Sequence, residues 1–250
     1  MKRFVIVAAA ALASVATVSS AQRVAASKFQ VSGIPVILKP VTANDVIAVR
    51  LYIRGGSSNL TRSNAGIESF MLEAATHGSA KYTKDAFNEQ LTETGTSISS
   101  DAGYDYSMMA LQAVRQHWNE AWDLFTEAAL KPAFPATEVE LVRAQLVDNL
   151  KRIPDDPDTY LSYLADSSLY AGHAYAVVPG GTPASIAAIS RDALASWHKQ
   201  RLTRENLLLV VVGNVSRADR PAKSSRLSGS FPQPAEVLST LRDSRRSLQM

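Results

Sequence analysis

Histidine is the residue type best suited to carry chemistry in this chain of 250 residues, because the sequence contains no cysteine. The absence of cysteine excludes disulfide frameworks, thiolate-bound metals and cysteine nucleophiles. The four histidines are His77, His117, His173 and His198. No two of them lie three or four positions apart, the spacing that brings two imidazoles to one face of a helix for zinc. Spacing alone therefore predicts no histidine metal site.

Other segments that resemble chemical motifs have structural interpretations. His198 precedes basic residues at the end of a predicted helix, where a positive charge complements the helix dipole. The segment 54–58 contains two adjacent glycines but lacks the lysine of a phosphate-binding loop, and it predicts a turn that ends a strand. The aspartates of residues 155–158 lack the spaced glutamate of a calcium loop and predict a helix cap. These residues predict no catalytic constellation.

The elements that must position these residues follow one another in clusters. Hydrophobic periodicity predicts strands at 29–41, 46–53, 96–102, 107–115 and 207–212. It predicts helices at 66–77, 83–93, 116–130, 138–152, 159–170, 184–189 and 192–201. Clustered rather than alternating elements favour an α+β fold with two layers, a largely antiparallel sheet with helices packed on one face.

The two ends of the chain differ from this predicted domain at 29–215. A basic start, a mostly apolar run and a small-x-small ending predict a signal peptide at 1–21, followed by a linker at 22–28. The run is shorter than the ~20 residues of a membrane span, so we expect an exported protein, periplasmic or extracellular, with no span after cleavage. Residues 216–250 are rich in Ser, Arg and Pro and predict an unassigned or truncated tail.

The positive charge of the sequence also belongs to its ends. The whole chain has 26 basic and 23 acidic residues, a formal charge of +3 and a pI near 9.1. Seven basic and three acidic residues lie from Arg217 onward, and Lys2 and Arg3 lie in the predicted signal peptide. The rest of the chain has 17 basic and 20 acidic residues. We therefore expect no nucleic-acid partner.

One segment, residues 65–79, carries a resemblance to a known family. Its sequence AGIESFMLEAATHGS is similar to the zinc motif of the insulinase/pitrilysin-type metalloproteases, or inverted zincins. That family carries G-x-x-H-x-x-E-H, then a G-T-like pair, on a helix after two strands; two histidines and a distant glutamate bind zinc, and the intervening glutamate is the general base. Further similar segments lie at 155–159, 172–175, 181–186 and 206–214. The resemblance covers roughly 29–215.

The resemblance implies a member without the catalytic residues. Alignment on the glycines of this segment places Ser69 and Glu73 at the two histidine positions and Leu72 at the position of the general base. The third ligand position falls near Asn149, or at Asp148 if the register slips by one. Zinc needs about three protein ligands, and Leu72 cannot accept a proton. We therefore expect no metal and no cofactor here, zinc being the cofactor of active relatives.

The resemblance also implies a substrate position and a partner. Ser99 and Ser100 replace the Asn-Ala pair that binds substrate on an edge strand in the family. The family includes pairs in which an inactive subunit closes over an active one, and a whole subunit has two related domains, of which this chain holds the first. We expect a non-catalytic subunit in a heterodimer with an active insulinase-family subunit. Three alternatives stay open: an active metalloendopeptidase with unconventional ligands that recruits His77, a module that binds peptides at a sheet edge without cleaving them, and a non-functional fragment.

Overall fold

The computed structural model describes residues 25–31 and 33–215. The signal peptide predicted for 1–21 and the tail predicted for 216–250 lie outside these residues. The first strand begins at Ser27, two residues inside the predicted linker, because its backbone pairs with the following strand from Ser27 onward. Among the described helices, none is both long enough and apolar enough to cross a bilayer.

In the described part of the chain, six strands form one sheet, in the order β1-β2-β6-β3-β5-β4. Their bounds are Ser27–Val31 (β1), Ile34–Pro40 (β2), Val46–Arg54 (β3), Ser97–Ala102 (β4), Tyr106–Val114 (β5) and Leu207–Gly213 (β6). The neighbours β2 and β6 are parallel, and the other four neighbouring pairs are antiparallel. The prediction of a largely antiparallel sheet is confirmed, and β3 lies inside the sheet, between β6 and β5.

Within residues 25–31 and 33–215, seven α-helices follow the predicted order. Their bounds are Ile67–Ala75 (α1), Lys84–Glu93 (α2), Trp118–Leu130 (α3), Ala136–Arg152 (α4), Pro157–Leu169 (α5), Pro183–Ala188 (α6) and Arg191–Arg201 (α7). Side-chain caps fix several of their starts: Thr83 accepts a hydrogen bond from the backbone of Ala86, and Asp156 accepts one from Thr159. The cap predicted from the aspartates of residues 155–158 is therefore confirmed.

The core lies between one face of the sheet and the helices. In β3, Ile47, Val49, Leu51 and Ile53 alternate with half-buried or exposed residues, so one face of the strand is fully covered. The largest side chains that fill the space opposite are Trp118, Phe125 and Phe70, all buried. The second face of β3 carries Val46, Ala48 and Tyr52 together with Arg50 and Arg54, and it is half-buried or exposed.

Candidate functional site

Helix α1 carries the three positions at which the sequence lacks zinc-binding residues. It begins after Gly66, which has a φ of +84°, and a Cβ there would lie 2.7 Å from the carbonyl oxygen of Gly180. Only glycine fits this combination of left-handed backbone and close approach. The helix then buries Ile67, Phe70 and Met71 and packs against α4, α7 and β4. The motif therefore has a fixed position in the middle of the domain.

The three degenerate positions of α1 differ in their surroundings. Ser69 is half-buried, Leu72 is 3% exposed and Glu73 is exposed to solvent. Their spacing of three and four residues places them on one side of the helix. That side offers one hydroxyl, one aliphatic side chain packed into the core and one solvated carboxylate. These donors do not fit a catalytic zinc ion, which needs about three strong protein ligands.

The face of α4 that packs against α1 does not carry Asn149. The guanidinium carbon of Arg143 lies 5.0 Å from the centre of the Phe70 ring of α1. Leu146 and Leu150, three and seven residues further along, share this face and pack against the core. Asn149 is exposed, and Asp148 forms a 2.7 Å ion pair with Arg152 on the surface of the same helix. An aliphatic side chain thus lies on the side of α4 from which a third ligand would have to point.

His77, the histidine considered as an unconventional ligand, is engaged beyond the end of α1. Its Nδ1 lies 3.2 Å from Oε2 of Glu138, and Nζ of Lys84 lies 3.1 Å from the same oxygen. Hydrogen bonds from Lys84 and then from His77 lower the pKa of the Glu138 carboxyl. The ammonium group of Lys84 disfavours a second cation here. Within residues 25–31 and 33–215, no group of three or more His, Cys, Asp or Glu side chains is arranged to hold a metal ion.

Ser99 and Ser100 lie on β4, the edge strand of the sheet. Ser99 pairs with Ala110 and Ser100 with Met109, so the two serines face opposite sides of the sheet. Ser100 shares the side of the buried Met109, whereas Ser99 is exposed. Among the described strands, β4 pairs with β5 alone. Its outer edge is therefore a place where an extended chain could add one more strand.

Glu68 is the residue that the sequence interpretation missed. It immediately precedes Ser69, its side chain is 2% exposed, and Ser107 donates a hydrogen bond to it. The backbone N–H of Gly56 also donates to it, at 2.9 Å, and Trp197 Nε1 at 3.4 Å. A charged residue inside the apolar stretch 65–75 was the available signal, because a buried carboxylate requires partners. Glu68 joins α1 to the loop after β3, to β5 and to α7.

The glycine pair after β3 wraps around this carboxylate. The strand ends at Arg54, as predicted from the segment 54–58. A Cβ on Gly55 would lie 2.6 Å from Oε1 of Glu68, so a side chain at this position would displace the carboxylate. The next backbone groups pair with the β4–β5 turn, where Ser57 N–H donates to Gly103 at 3.0 Å. The turn thus fixes the position of α1 relative to the β4–β5 turn.

The prediction that His198 complements a helix dipole as a cation is wrong. This histidine is 6% exposed and lies on α7, with Nε2 2.9 Å from the carbonyl oxygen of Ala129 in α3. Burial lowers its pKa, despite an opposing effect of this hydrogen bond. The neutral imidazole therefore links two helices. The sequence placed it correctly near the helix end but gave no measure of its burial.

His173 has a local structural contact. It lies in the loop after α5, where its Nδ1 accepts a hydrogen bond from the backbone of Tyr175 at 3.1 Å. The two rings meet edge to face, with 4.8 Å between their centres. Tyr175 in turn donates to the carboxylate of Asp105 in the β4–β5 turn. His173 thus stabilises a loop beside the turn.

Comparison with known proteins gives one family and one fold. The model of the insulinase family (peptidase family M16) matches residues 36–176. An uncharacterized zinc protease, YmxG of Bacillus subtilis, is 20% identical over 185 residues, which are 74% of this chain and 45% of that protein. This chain therefore spans less than half the length of that relative.

Solved structures agree with this fold. A peptidase M16 inactive domain from Pseudomonas fluorescens aligns with a TM-score of 0.72 and 21% identity over 88% of this chain and 50% of that chain. The periplasmic protease PqqL from Escherichia coli aligns with a TM-score of 0.71 and 16% identity over 83% of this chain and 25% of that chain. At these identities the likeness concerns the fold.

Proposed function

Because the chain belongs to the insulinase family of peptidases, with a family match over residues 36–176, we propose that it is an exported, non-catalytic member that acts as the partner subunit of an active zinc peptidase. One observation supports the proposal that this member is non-catalytic. The side of α1 that should hold zinc and the general base presents Ser69, buried Leu72 and exposed Glu73. With Leu146 and Leu150 on the facing side of α4, the donors for a zinc ion are missing on both helices.

Metal analysis combined with a peptidase assay tests this proposal. We expect the purified chain, loaded with zinc and then dialysed, to retain less than about 0.1 zinc per molecule, because it lacks three converging ligands. Hydrolysis of a quenched fluorescent peptide library should stay at the background rate. The matched control introduces S69H, L72E and E73H on α1 together with L150E on the facing side of α4, and it should bind more zinc than the natural chain. Stoichiometric zinc with chelator-sensitive cleavage in the natural chain would overturn the proposal and favour an unconventional ligand set.

The partner role needs a separate experiment. The chain spans 45% of the Bacillus relative and half of the Pseudomonas chain, which supports a second domain supplied by another polypeptide or by a longer form of the protein. Purification of a tagged chain from its native host should recover a family member with an intact H-x-x-E-H motif. Recovery of a lone monomer would contradict the partner role. Sequencing of the mature N-terminus tests export, with cleavage expected before Gln22.

The free edge of β4 supports a second candidate function, the binding of peptides without cleavage. An extended peptide could pair with the backbone of Ser97–Ala102, beside Ser99 and Ser100. Affinity of this kind depends on the backbone of the ligand, so N-methylation of alternate peptide bonds should weaken it by about tenfold or more. Binding of the unmodified peptide without turnover would favour this function. Equal binding of the N-methylated peptide would exclude strand addition.

A further inference from the structure

A cleft between the α3–α4 connection and α7 plays no part in the function proposed above. It encloses about 470 Å³, and its sides come from residues 130–134 and from the side of α7 that carries Arg191, Ala195, His198 and Lys199. None of the described residues that line it belongs to α1 or β4. A concave site with an apolar surface and a few polar groups is the usual form of a small-molecule site in proteins.

The backbone at one side of this cleft has an uncommon conformation. Phe134 has a φ of +47°, in the left-handed region that a bulky side chain rarely adopts. Two hydrogen bonds from Arg191 hold it: Nε donates to the carbonyl oxygen of Phe134 at 2.6 Å, and Nη2 donates to that of Ala133 at 3.3 Å. The backbone N–H of Ala133 donates in turn to Gly78 at 3.0 Å. These contacts keep the cleft in one shape, and backbone held in this way is common at ligand sites.

His198 supplies a hydrogen-bond acceptor to the cleft. It is 6% exposed, it lines the cleft, and its ring meets that of Phe134 edge to face with 5.9 Å between the centres. Its Nε2 donates to the carbonyl oxygen of Ala129, so Nδ1 of the neutral ring is an acceptor. Within the described part of the chain, no group donates to Nδ1. This nitrogen is therefore available to an O–H or N–H group of a ligand.

The charged side chains of the cleft are cationic. Lys131, Arg191 and Lys199 line it, and none of its described lining residues is acidic. Lys131 pairs with Glu127 at 3.1 Å, and Nη1 of Arg191 lies 4.0 Å from Asp192, at the limit of an ion pair. Lys199 is exposed and forms no ion pair with any other described residue. The cleft therefore has an excess of positive charge that favours an anionic ligand.

We propose that the cleft binds a small hydroxycarboxylate with an apolar body. Its carboxylate would pair with Lys199 and with the N–H groups of Arg191 that remain free, since a guanidinium matches the geometry of a carboxylate. Its apolar body would lie against Phe134 and Leu130, and its hydroxyl would donate to Nδ1 of His198. A free phosphate lacks the apolar body and is a poorer match for this surface. The site is independent of the proposed function, because it uses neither α1 nor the edge strand β4.

Calorimetric titration of the full chain at pH 7.5 tests the cleft with three matched ligands. They are 3-phenyllactate, 3-phenylpropionate, which lacks the hydroxyl, and 3-phenyllactamide, which lacks the negative charge. We expect 3-phenyllactate to bind with a Kd of about 1 mM or tighter. The propionate should bind at least about threefold more weakly, because it cannot donate to His198. The lactamide should bind at least about tenfold more weakly, because it cannot pair with the cations.

Variants separate the contributions of the charge and of the acceptor. K199E reverses an exposed charge and should weaken the binding of 3-phenyllactate by about tenfold or more. H198F removes the acceptor nitrogen and should make 3-phenyllactate and 3-phenylpropionate bind equally. K151E, a charge reversal at an exposed residue of α4 outside the cleft, should change the affinity by less than about twofold. Because Lys199 is exposed, circular dichroism should show that K199E remains folded even if H198F does not.

Several results would overturn the proposal. The absence of binding at 3-phenyllactate concentrations up to about 10 mM would show that the cleft is not a site for this class of ligand. Equal binding of the lactamide would show that the cations play no part. Equal weakening by K199E and K151E would reduce the effect to general attraction between charges. Displacement of 3-phenyllactate by an equal concentration of inorganic phosphate would assign the cleft to anions in general.

Discussion

Nε of Arg201 lies 3.6 Å from Oε1 of Glu68, an ion pair that joins α7 to the first turn of α1. The guanidinium of Arg201 also lies over the ring of Trp197, 4.5 Å from its centre. The carboxylate is buried at the end of α1 where the helix dipole favours negative charge. Since Glu68 precedes Ser69, the segment aligned with the zinc motif is held by a buried electrostatic network.

Removal of the Glu68 carboxylate should be strongly destabilising. E68A leaves Arg201, Ser107 and the backbone N–H of Gly56 without their acceptor inside the protein, and loss of one member of such a buried pair costs about 3–5 kcal/mol. The control is E73A on the same helix, where the side chain is exposed and the change should stay within about 0.5 kcal/mol. Urea unfolding monitored by tryptophan fluorescence measures both. Similar midpoints for the two variants would show that the network adds no net stability.

Alanine at Gly56 should destabilise more than alanine at another left-handed glycine. Gly56 has a φ of +76°, and a Cβ there would overlap the backbone carbonyl of Tyr104. Gly95 has a φ of +58° with no atom within 4 Å of the Cβ position, so G95A carries the backbone strain alone, about 1–2 kcal/mol. We expect G56A to cost at least about 2 kcal/mol more, because the β4–β5 turn must move. Thermal unfolding of both variants measures the difference. Equal losses of stability in G56A and G95A would contradict the close approach of Gly56 to the backbone of Tyr104.

The fold was predictable from the sequence because its elements carry local signals. The strand at 46–53 and the helix at 66–77 follow from hydrophobic periodicity, and the cap before α5 follows from the aspartates of residues 155–158. The sheet order was not predictable in the same way, since the parallel pairing of β2 with β6 joins residues about 170 positions apart. No local pattern encodes such a pairing.

The candidate site was predictable in position but not in surroundings. The motif residues Ser69, Leu72 and Glu73 lie on one helix, as their spacing indicates. Their different exposure depends on α4 and α7, which pack against α1 from distant parts of the chain. The burial of Glu68 and His198 was not predictable from the sequence, because burial depends on the tertiary structure.

Lysine at position 143 should not replace arginine. Nη1 of Arg143 donates to the carbonyl oxygens of Ile186 and Ile189, both at 2.6 Å, and thereby binds the end of α6 to α4. Nε and Nη2 of the same guanidinium donate to Glu140 while its plane lies over Phe70. The single nitrogen of a lysine cannot make all of these contacts at once, so R143K should cost about 1–3 kcal/mol. The control R152K changes an exposed arginine of the same helix and should stay within about 0.5 kcal/mol. Equal unfolding midpoints for R143K and R152K would show that the Arg143 guanidinium is not required to hold the end of α6 against α4.

The buried His198 should make the protein less stable as the pH falls below about 6.5. Its pKa is lowered in the folded state, mainly by burial, so the unfolded chain takes up the proton first. The free energy of unfolding therefore declines from the unfolded pKa downward, by at most about 1.4 kcal/mol per pH unit, and levels off below the folded pKa. The lowered carboxyl pKa values of Glu138 and Asp156 act at lower pH, since the stability they contribute is lost only as the pH falls below about 4.5.

Urea unfolding at pH 7.5, 6.5 and 5.5 checks this sign with two variants. H198Q keeps an N–H that can donate to Ala129 but cannot titrate, so its free energy of unfolding should fall less between pH 7.5 and 5.5 than that of the natural chain. H117Q removes a half-buried histidine at the start of α3 and should keep the natural pH dependence. A natural chain that gains stability on acidification through this range, or an H198Q profile parallel to it, would show that His198 is not the neutral, buried link between α3 and α7.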